Sequence, residues 1–282
     1  SKDLFISFFG NKIFGKTYNY YSIAVNSKLN FKAYKKFLKK NKLYFKIIKN
    51  LFNNKLIENT VKSNEKILNY FKIRNDILDK IKKTTIKLKL KKQFSKKNLE
   101  NYDKVIVATY ASNNLILRRL GIKKLPEFKF QLVEKILVKL PAKYKKKSFV
   151  VMDGNFLCLD PYVGTDYHLL SHVKFSKLKV IKGYYSKFPK KYDKKLILSN
   201  FININESKFY DFIKDGSKYL PFLKTANYIS SFLVVRTLKN NVEQTSERTN
   251  LIKKVNKKLI TILSGKWNTC VTEAYKLNEI IN

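Results

Sequence analysis

The sequence is poor in the residues that hold metals or staple small domains. Its two cysteines, Cys158 and Cys270, lie far apart and form no C-x-x-C pair, so neither a disulfide framework nor a zinc site is expected. No metal ligand set is assigned, and a reducing compartment, the cytoplasm, fits this cysteine usage. Histidine occurs only at His168 and His172. No apolar run approaches the ~18 residues of a membrane-spanning helix, and the opening Ser1-Lys-Asp-Leu-Phe lacks a signal-peptide pattern. The eight glycines never form G-x-G-x-x-G, the turn that cradles a dinucleotide pyrophosphate, since Gly10 and Gly15 are too far apart. Acidic residues are scarce too: 20 Asp+Glu face 60 Lys+Arg, a formal charge of +40.

Hydrophobic residues make up 44% of the chain and aromatics 14%, which is enough for a packed core and excludes a disordered polyelectrolyte. The basic excess raises nucleic-acid or anionic-surface binding as one function class. Against it, arginine, the residue suited to bidentate readout, occurs only at Arg74, Arg118, Arg119, Arg236 and Arg248. The lysines are spread along the whole chain together with abundant Asn, Ile, Phe and Tyr. An AT-rich coding sequence yields that set, and the charge then speaks to solubility.

Periodicity predicts a mixed α/β chain. Residues 1–28 read as short strands or loops. Apolar residues at Phe31, Tyr34, Phe37 and Leu38, then Tyr44, Ile47, Ile48 and Leu51, predict helix with a break near Asn41. A second helix is expected over 64–83, and alternation at 85–90 predicts a half-buried strand. The run Val105-Ile-Val-Ala108 suits a strand covered on both faces, followed by a helix that Gly121 ends. From about 127 the pattern turns to β: strands over 128–138, 148–159 and 167–175, with a tight primed turn expected at Asp153-Gly154. Helix returns at 207–213 and again around 216–224. Strands at 232–238 and 259–263 precede a closing helix at 271–281.

The stretch Ser264-Gly-Lys-Trp-Asn-Thr269 joins that last strand to that last helix. A helix start exposes N–H groups and about half a positive charge, and Gly265 permits close approach of a ligand. An ordinary strand-turn-helix joint, with Asn268 or Thr269 as cap, is the plainer account.

Four segments in order resemble the FAD-dependent oxidoreductases of the D-amino-acid oxidase and glycerol-3-phosphate dehydrogenase superfamily. Tyr102–Thr109 resembles the Asp-x-Val-Val-x-Ala strand that returns to the FAD-binding sheet, with Tyr110 where glycine is usual. Asp153-Gly-Asn-Phe-Leu-Cys-Leu-Asp-Pro-Tyr162 is similar to the hairpin of the substrate domain. Val234-Val-Arg-Thr-Leu238 and Glu247-Arg248 resemble the segment that supplies a substrate-binding arginine, and residues 264–269 resemble the Gly-Gly-Lys-x-Thr-Thr joint.

The resemblance implies a partial FAD-binding, Rossmann-like domain (61–121 and 239–282) interleaved with a mainly antiparallel β substrate domain (122–238), after a helical or loop segment (1–60). It implies FAD as cofactor, touched by Thr109, Gly265, Lys266, Trp267, Asn268 and Thr269. It further implies a small anionic substrate held by Arg236 and Arg248, and oxidation of a C–N or C–O bond by hydride transfer to the flavin, with an unidentified electron acceptor. His172 is the candidate base. The missing glycine motif suggests that residue 1 lies inside a longer protein and that this chain alone is inactive. A basic binding protein and a catalytically inactive relative are the alternatives.

Overall fold

The computed structural model describes residues 2–49, 51–193, 196, 204–240 and 250–281. The fold is a mixed α/β arrangement around one large sheet. Its strands are β1 (Phe14–Gly15), β2 (Tyr18–Ala24), β3 (Phe45–Ile48), β4 (Ile57–Ser63), β5 (Ile67–Leu68), β6 (Val105–Val107), β7 (Phe128–Lys139), β8 (Lys147–Met152), β9 (Leu157–Pro161), β10 (Tyr167–His172), β11 (Lys177–Gly183), β12 (Asn227–Lys239), β13 (Leu251–Lys254) and β14 (Leu259–Leu263). The helices are α1 (Lys2–Phe9), α2 (Phe31–Lys40), α3 (Tyr70–Lys82), α4 (Asn113–Arg119), α5 (Phe209–Gly216) and α6 (Cys270–Ile281).

The nine-stranded sheet runs β11-β7-β10-β9-β8-β2-β4-β3, and β12 pairs along the whole of β7. All its pairings are antiparallel except β2 with β8. One face is closed by α5 and the 3-10 turn Pro221–Thr225, which bury Phe212, Leu220 and Leu223 against Leu157, Leu159 and Leu170. Near the chain's end β13, β14 and β6 form a separate sheet in which β14 and β6 run parallel. Hairpins cannot join parallel neighbours, so the long excursion between β6 and β14 accommodates most of the antiparallel sheet.

Several local expectations meet a stronger tertiary term. Helix α2 forms where predicted: Asn30 caps it by accepting from the Ala33 N–H at 2.9 Å, and Phe31, Tyr34 and Leu38 are buried. It stops at Asn41, Lys42 turns with φ 51°, and Phe45–Ile48 pairs with β4 instead of continuing as helix. Three or four apolar residues cannot separate the two periods, and an open strand edge decided it.

The strand expected at 85–90 does not form. Ile86, Leu88 and Leu90 are 60, 54 and 72% exposed, because alternation without a partner strand buries nothing. The expected helix at 64–83 is shortened at its start by β5 and begins at Tyr70, after the Asn69 cap. A 3-10 turn replaces the helix expected near 216–224.

Residues 2–9, expected as loop or strand, are helical. Phe5 and Phe9 sit one turn apart and pack on Ile13, Ile73 and Val271, and Gly10 with φ 74° ends the helix. Asp153-Gly154 does link β8 to β9, but through a wider loop than a two-residue primed turn, and neither residue takes a positive φ.

Candidate active site

The paired registers sort the large sheet's side chains onto two faces, because residues directly opposite one another point the same way. His172 pairs with Leu157 and Ser171 with Cys158. His172, Leu157, Leu159 and Leu170 therefore face α5, whereas Ser171, Cys158 and Asp160 face the opposite side. On that opposite side lies a cleft of about 650 Å³ whose lining includes Tyr21, Glu65, Ser148, Cys158, Asp160 and Trp267. Strands β2, β8 and β9 form its floor, and the turn after β14 brings Trp267 to its wall.

The floor carries an ordered set of polar groups. Asp160 accepts from the Ser148 hydroxyl at 2.7 Å and from the Cys158 thiol at 3.0 Å. Burial, reinforced by the neighbouring Asp160 charge, pushes the Cys158 thiol well up, so it stays protonated and serves as a donor. Tyr21 donates its phenol proton to the Glu65 carboxylate. Burial first, then that carboxylate, raises the Tyr21 phenol far above its ordinary range. Asn19, two residues earlier on the same strand face, donates its amide to the Glu65 carbonyl.

The joint at 264–269 is partly as expected. It follows β14 and leads through the 3-10 turn Trp267–Thr269 into α6. The Gly265 N–H, expected to be free for a ligand, donates to Asn250 Oδ1 at 2.9 Å and is not available. The Thr269 N–H bonds weakly to the Lys266 carbonyl at 3.3 Å, and its hydroxyl donates to the same atom at 2.9 Å. Among the described residues no acceptor meets the N–H of Lys266, Trp267 or Asn268, and these three residues are exposed.

Thr109 lies two residues beyond β6, and both its N–H and its hydroxyl bond to Asn113 Oδ1, at 2.7 and 3.0 Å. The other side of the Asn113 amide donates to Thr261 Oγ1 and to the Ile262 carbonyl, so one buried side chain locks β6, α4 and β14 together. Tyr110 adopts φ 52°, the left-handed conformation that its glycine-like position requires. Its hydroxyl accepts from the Thr237 N–H at 3.1 Å and tethers this region to the outer edge of β12.

His172 is not at the cleft. It is 2% exposed, packed at a tilt against Phe175 and Phe212, and its Nε2 lies 2.9 Å from Asp215 Oδ2. The Lys174 N–H points at Nδ1 from 3.2 Å, so the tautomer inferred from its partners is neutral with the proton on Nε2. Burial lowers its proton affinity, against the pull of Asp215. Nothing in these surroundings equips it to take a proton from a substrate.

Arg236 lies opposite Gln131 of β7 and shares the cleft's face of the sheet, at the level where β7's other edge pairs with β11. It is displaced along the sheet from the cleft lining. Arg248 lies outside the described residues. Sequence reading missed Tyr21, Glu65, Ser148 and Asp160, although Asp160 stands inside the quoted hairpin. Its place on the alternate position between buried Leu159 and Pro161 was the signal.

No family model and no curated protein matches the sequence. Solved structures do match its fold. The chain is similar to a modified fructosyl peptide oxidase from Aspergillus nidulans (TM-score 0.64, 12% identity, 99% of this chain and 75% of that one). It is similar to L-proline dehydrogenase from P. horikoshii (TM-score 0.62, 14% identity, 99% and 75%) and to glycine oxidase from Geobacillus kaustophilus (TM-score 0.60, 8% identity, 99% and 75%).

Proposed function

We propose that this chain is the larger part of an FAD-dependent oxidoreductase that oxidises a C–N or C–O bond of a small molecule. The solved proteins named above are a fructosyl peptide oxidase, a proline dehydrogenase and a glycine oxidase, in line with the FAD-dependent family whose motifs the sequence resembles. The observation that carries the reading is the meeting of Trp267, from the joint after β14, with the polar floor of the cleft. Residues 61–121 and 239–282 are assigned to flavin binding and 122–238 to the substrate part, with β2–β4 extending the substrate sheet.

The residues present suit the ring end of FAD. The unpaired amides of Lys266, Trp267 and Asn268, with the Lys266 charge, form a preorganised site for negative charge at the cleft wall. A pyrophosphate cradle is not among these residues. We further propose that a G-x-G-x-x-G strand pairs along β6, whose outer edge meets no strand among the described residues and whose Ile106 is 40% exposed. When bound, the flavin supplies hydride acceptance. The chain's own contribution is to close the cleft with Trp267 and to hold the substrate against the β2-β8-β9 floor. Arg236 is proposed to attract an acidic group toward the same face.

The test is to purify the natural gene product and follow flavin absorbance through gel filtration. Co-elution at one flavin per chain is expected; a colourless product that does not take up added FAD would exclude the reading. A Gly265→Val substitution, which crowds the joint, is expected to lower flavin occupancy.

A second reading, binding to an anionic surface, is favoured by one patch. Lys32, Lys35, Lys36, Lys39 and Lys40 gather on one side of α2, whose ten residues include no acid. Their joint replacement by glutamine should release the protein from heparin at much lower salt if the patch binds, and should scarcely change elution if the charge is diffuse.

A further inference from the structure

We infer that the cleft takes its ligand by a protonated amine, with Asp160 as the anchoring carboxylate and Glu65 as its partner. This rests on the reading of the cleft as the substrate site, and it replaces the expectation of a purely anionic substrate there.

The groups offered to a ligand are acceptors. Asp160 uses its two oxygens on neutral donors, Ser148 and Cys158, and no lysine or arginine pairs with it among the described residues. Each carboxylate oxygen has a second lone pair to give. Glu65 receives only the neutral Tyr21 phenol, and it too has no ion pair. Asp76, Asp79, Asp166, Asp211, Asp215 and Glu273 each have a lysine within 4.0 Å, whereas both carboxylates of this cleft have only neutral donors.

Asn19 supplies an independent sign. It is 1% exposed, lies on the same sheet face beside Ser148, and its Oδ1 has no donor. A buried acceptor without a donor is costly unless something with N–H or O–H meets it.

The one cation of the lining, Lys66, is turned away, with its ammonium 2.6 Å from Asn11 Oδ1 and over the Phe14 ring. The rest of the wall is aromatic. Tyr70 and Trp267 line the cleft and are 46 and 53% exposed, which suits the flank of an ammonium group. Three kinds of acceptor and two open aromatic faces match a ligand that is all donor and positively charged. A carboxylate placed there would meet two like charges.

The chain carries its own reporter, because Trp267 is its only tryptophan. Trp267 emission would be followed while n-butylammonium chloride, sodium butyrate or butan-1-ol is added at constant ionic strength. A saturable change with the amine is expected, with butyrate and the alcohol at least tenfold weaker. Asp160→Asn should weaken the amine at least tenfold and Glu65→Gln about threefold, with unchanged circular dichroism. Glu65 is exposed, so its variant reports even if Asp160→Asn folds poorly. Equal binding of butyrate, no saturable response to the amine, or full affinity in both variants would overturn the inference. Flavin content measured on the same preparations separates the two ideas: amine binding without flavin leaves this inference standing, and flavin without amine binding removes it alone.

Discussion

Ser171 and His172 are neighbours on β10, yet they look into opposite worlds. On the α5 side, two titratable groups are matched to protein partners: His172 sits between Asp215 and the Lys174 N–H, and Glu134, fully buried, accepts from Ser207 Oγ, Ser231 Oγ and the Lys208 N–H. Glu134 thereby anchors the start of α5 to the middle of β7. On the cleft side Asp160, Glu65 and Asn19 keep spare acceptor capacity. Around these residues the two faces differ in how far their acceptors are used, although His168 Nδ1 on the α5 face also lacks a partner.

The comparison breaks most visibly at Glu134. Glu134→Ala removes the acceptor of the buried Ser231 hydroxyl and of the part-buried Ser207 hydroxyl and Lys208 N–H, and at about 1–3 kcal/mol for a buried orphaned group a loss of ~2 kcal/mol or more is expected in urea unfolding. A loss below about 1 kcal/mol would mean that the donors find other partners and that the α5 face is not the saturated one.

Next in size is the pH response of the same face. Burial lowers the proton affinity of both His168 and His172 in the folded chain. A depressed histidine contributes stability that is present above its unfolded value, near 6.5, and is lost as pH falls through the folded one. Stability should therefore decline below about pH 6.5, by at most ~1.4 kcal/mol per pH unit for each histidine. His172→Gln should reduce that slope. Asp215, lowered on balance by its Lys218 and His172 hydrogen bonds against its own desolvation, gives up its contribution only at lower pH, as acid passes below its ordinary 3.8. A flat profile between pH 7.5 and 5 would contradict the neutral tautomer assigned to His172.

The sequence made the skeleton of the β14 joint legible, and Tyr110 holds a left-handed backbone conformation of the kind glycine favours. The long strands β7 and β12 could be read because each carries enough residues for its alternation to show. What escaped was whatever depended on a partner. Residues 85–90 and 45–48 have similar apolar content, but only the second finds a strand edge. The cleft escaped for the same reason: Tyr21 and Glu65 meet through a side-chain bond between β2 and the β4-β5 turn, and Asp160 reaches them only because β2 and β8 pair in parallel. His172 was singled out by residue type, and type carries no information about which face a strand turns inward.

The smallest expected effect is the sharpest test of the cleft side. Asp160→Asn keeps a side chain of the same shape; its carbonyl oxygen can still accept from the Ser148 hydroxyl, and the amide that replaces the other oxygen can donate to the Cys158 sulfur, so its cost to stability should stay within about 1 kcal/mol, below that of Glu134→Ala. Stability is the wrong place to look for this residue, since its charge has no cationic partner in the fold to lose. If Asp160→Asn proved stabilising, by easing repulsion from Glu65 on a charge-rich wall, the pattern would match a site kept at some expense for a ligand. If instead it unfolded the protein as Glu134→Ala does, Asp160 would belong with the saturated face, and the contrast between the two sides of the sheet would collapse.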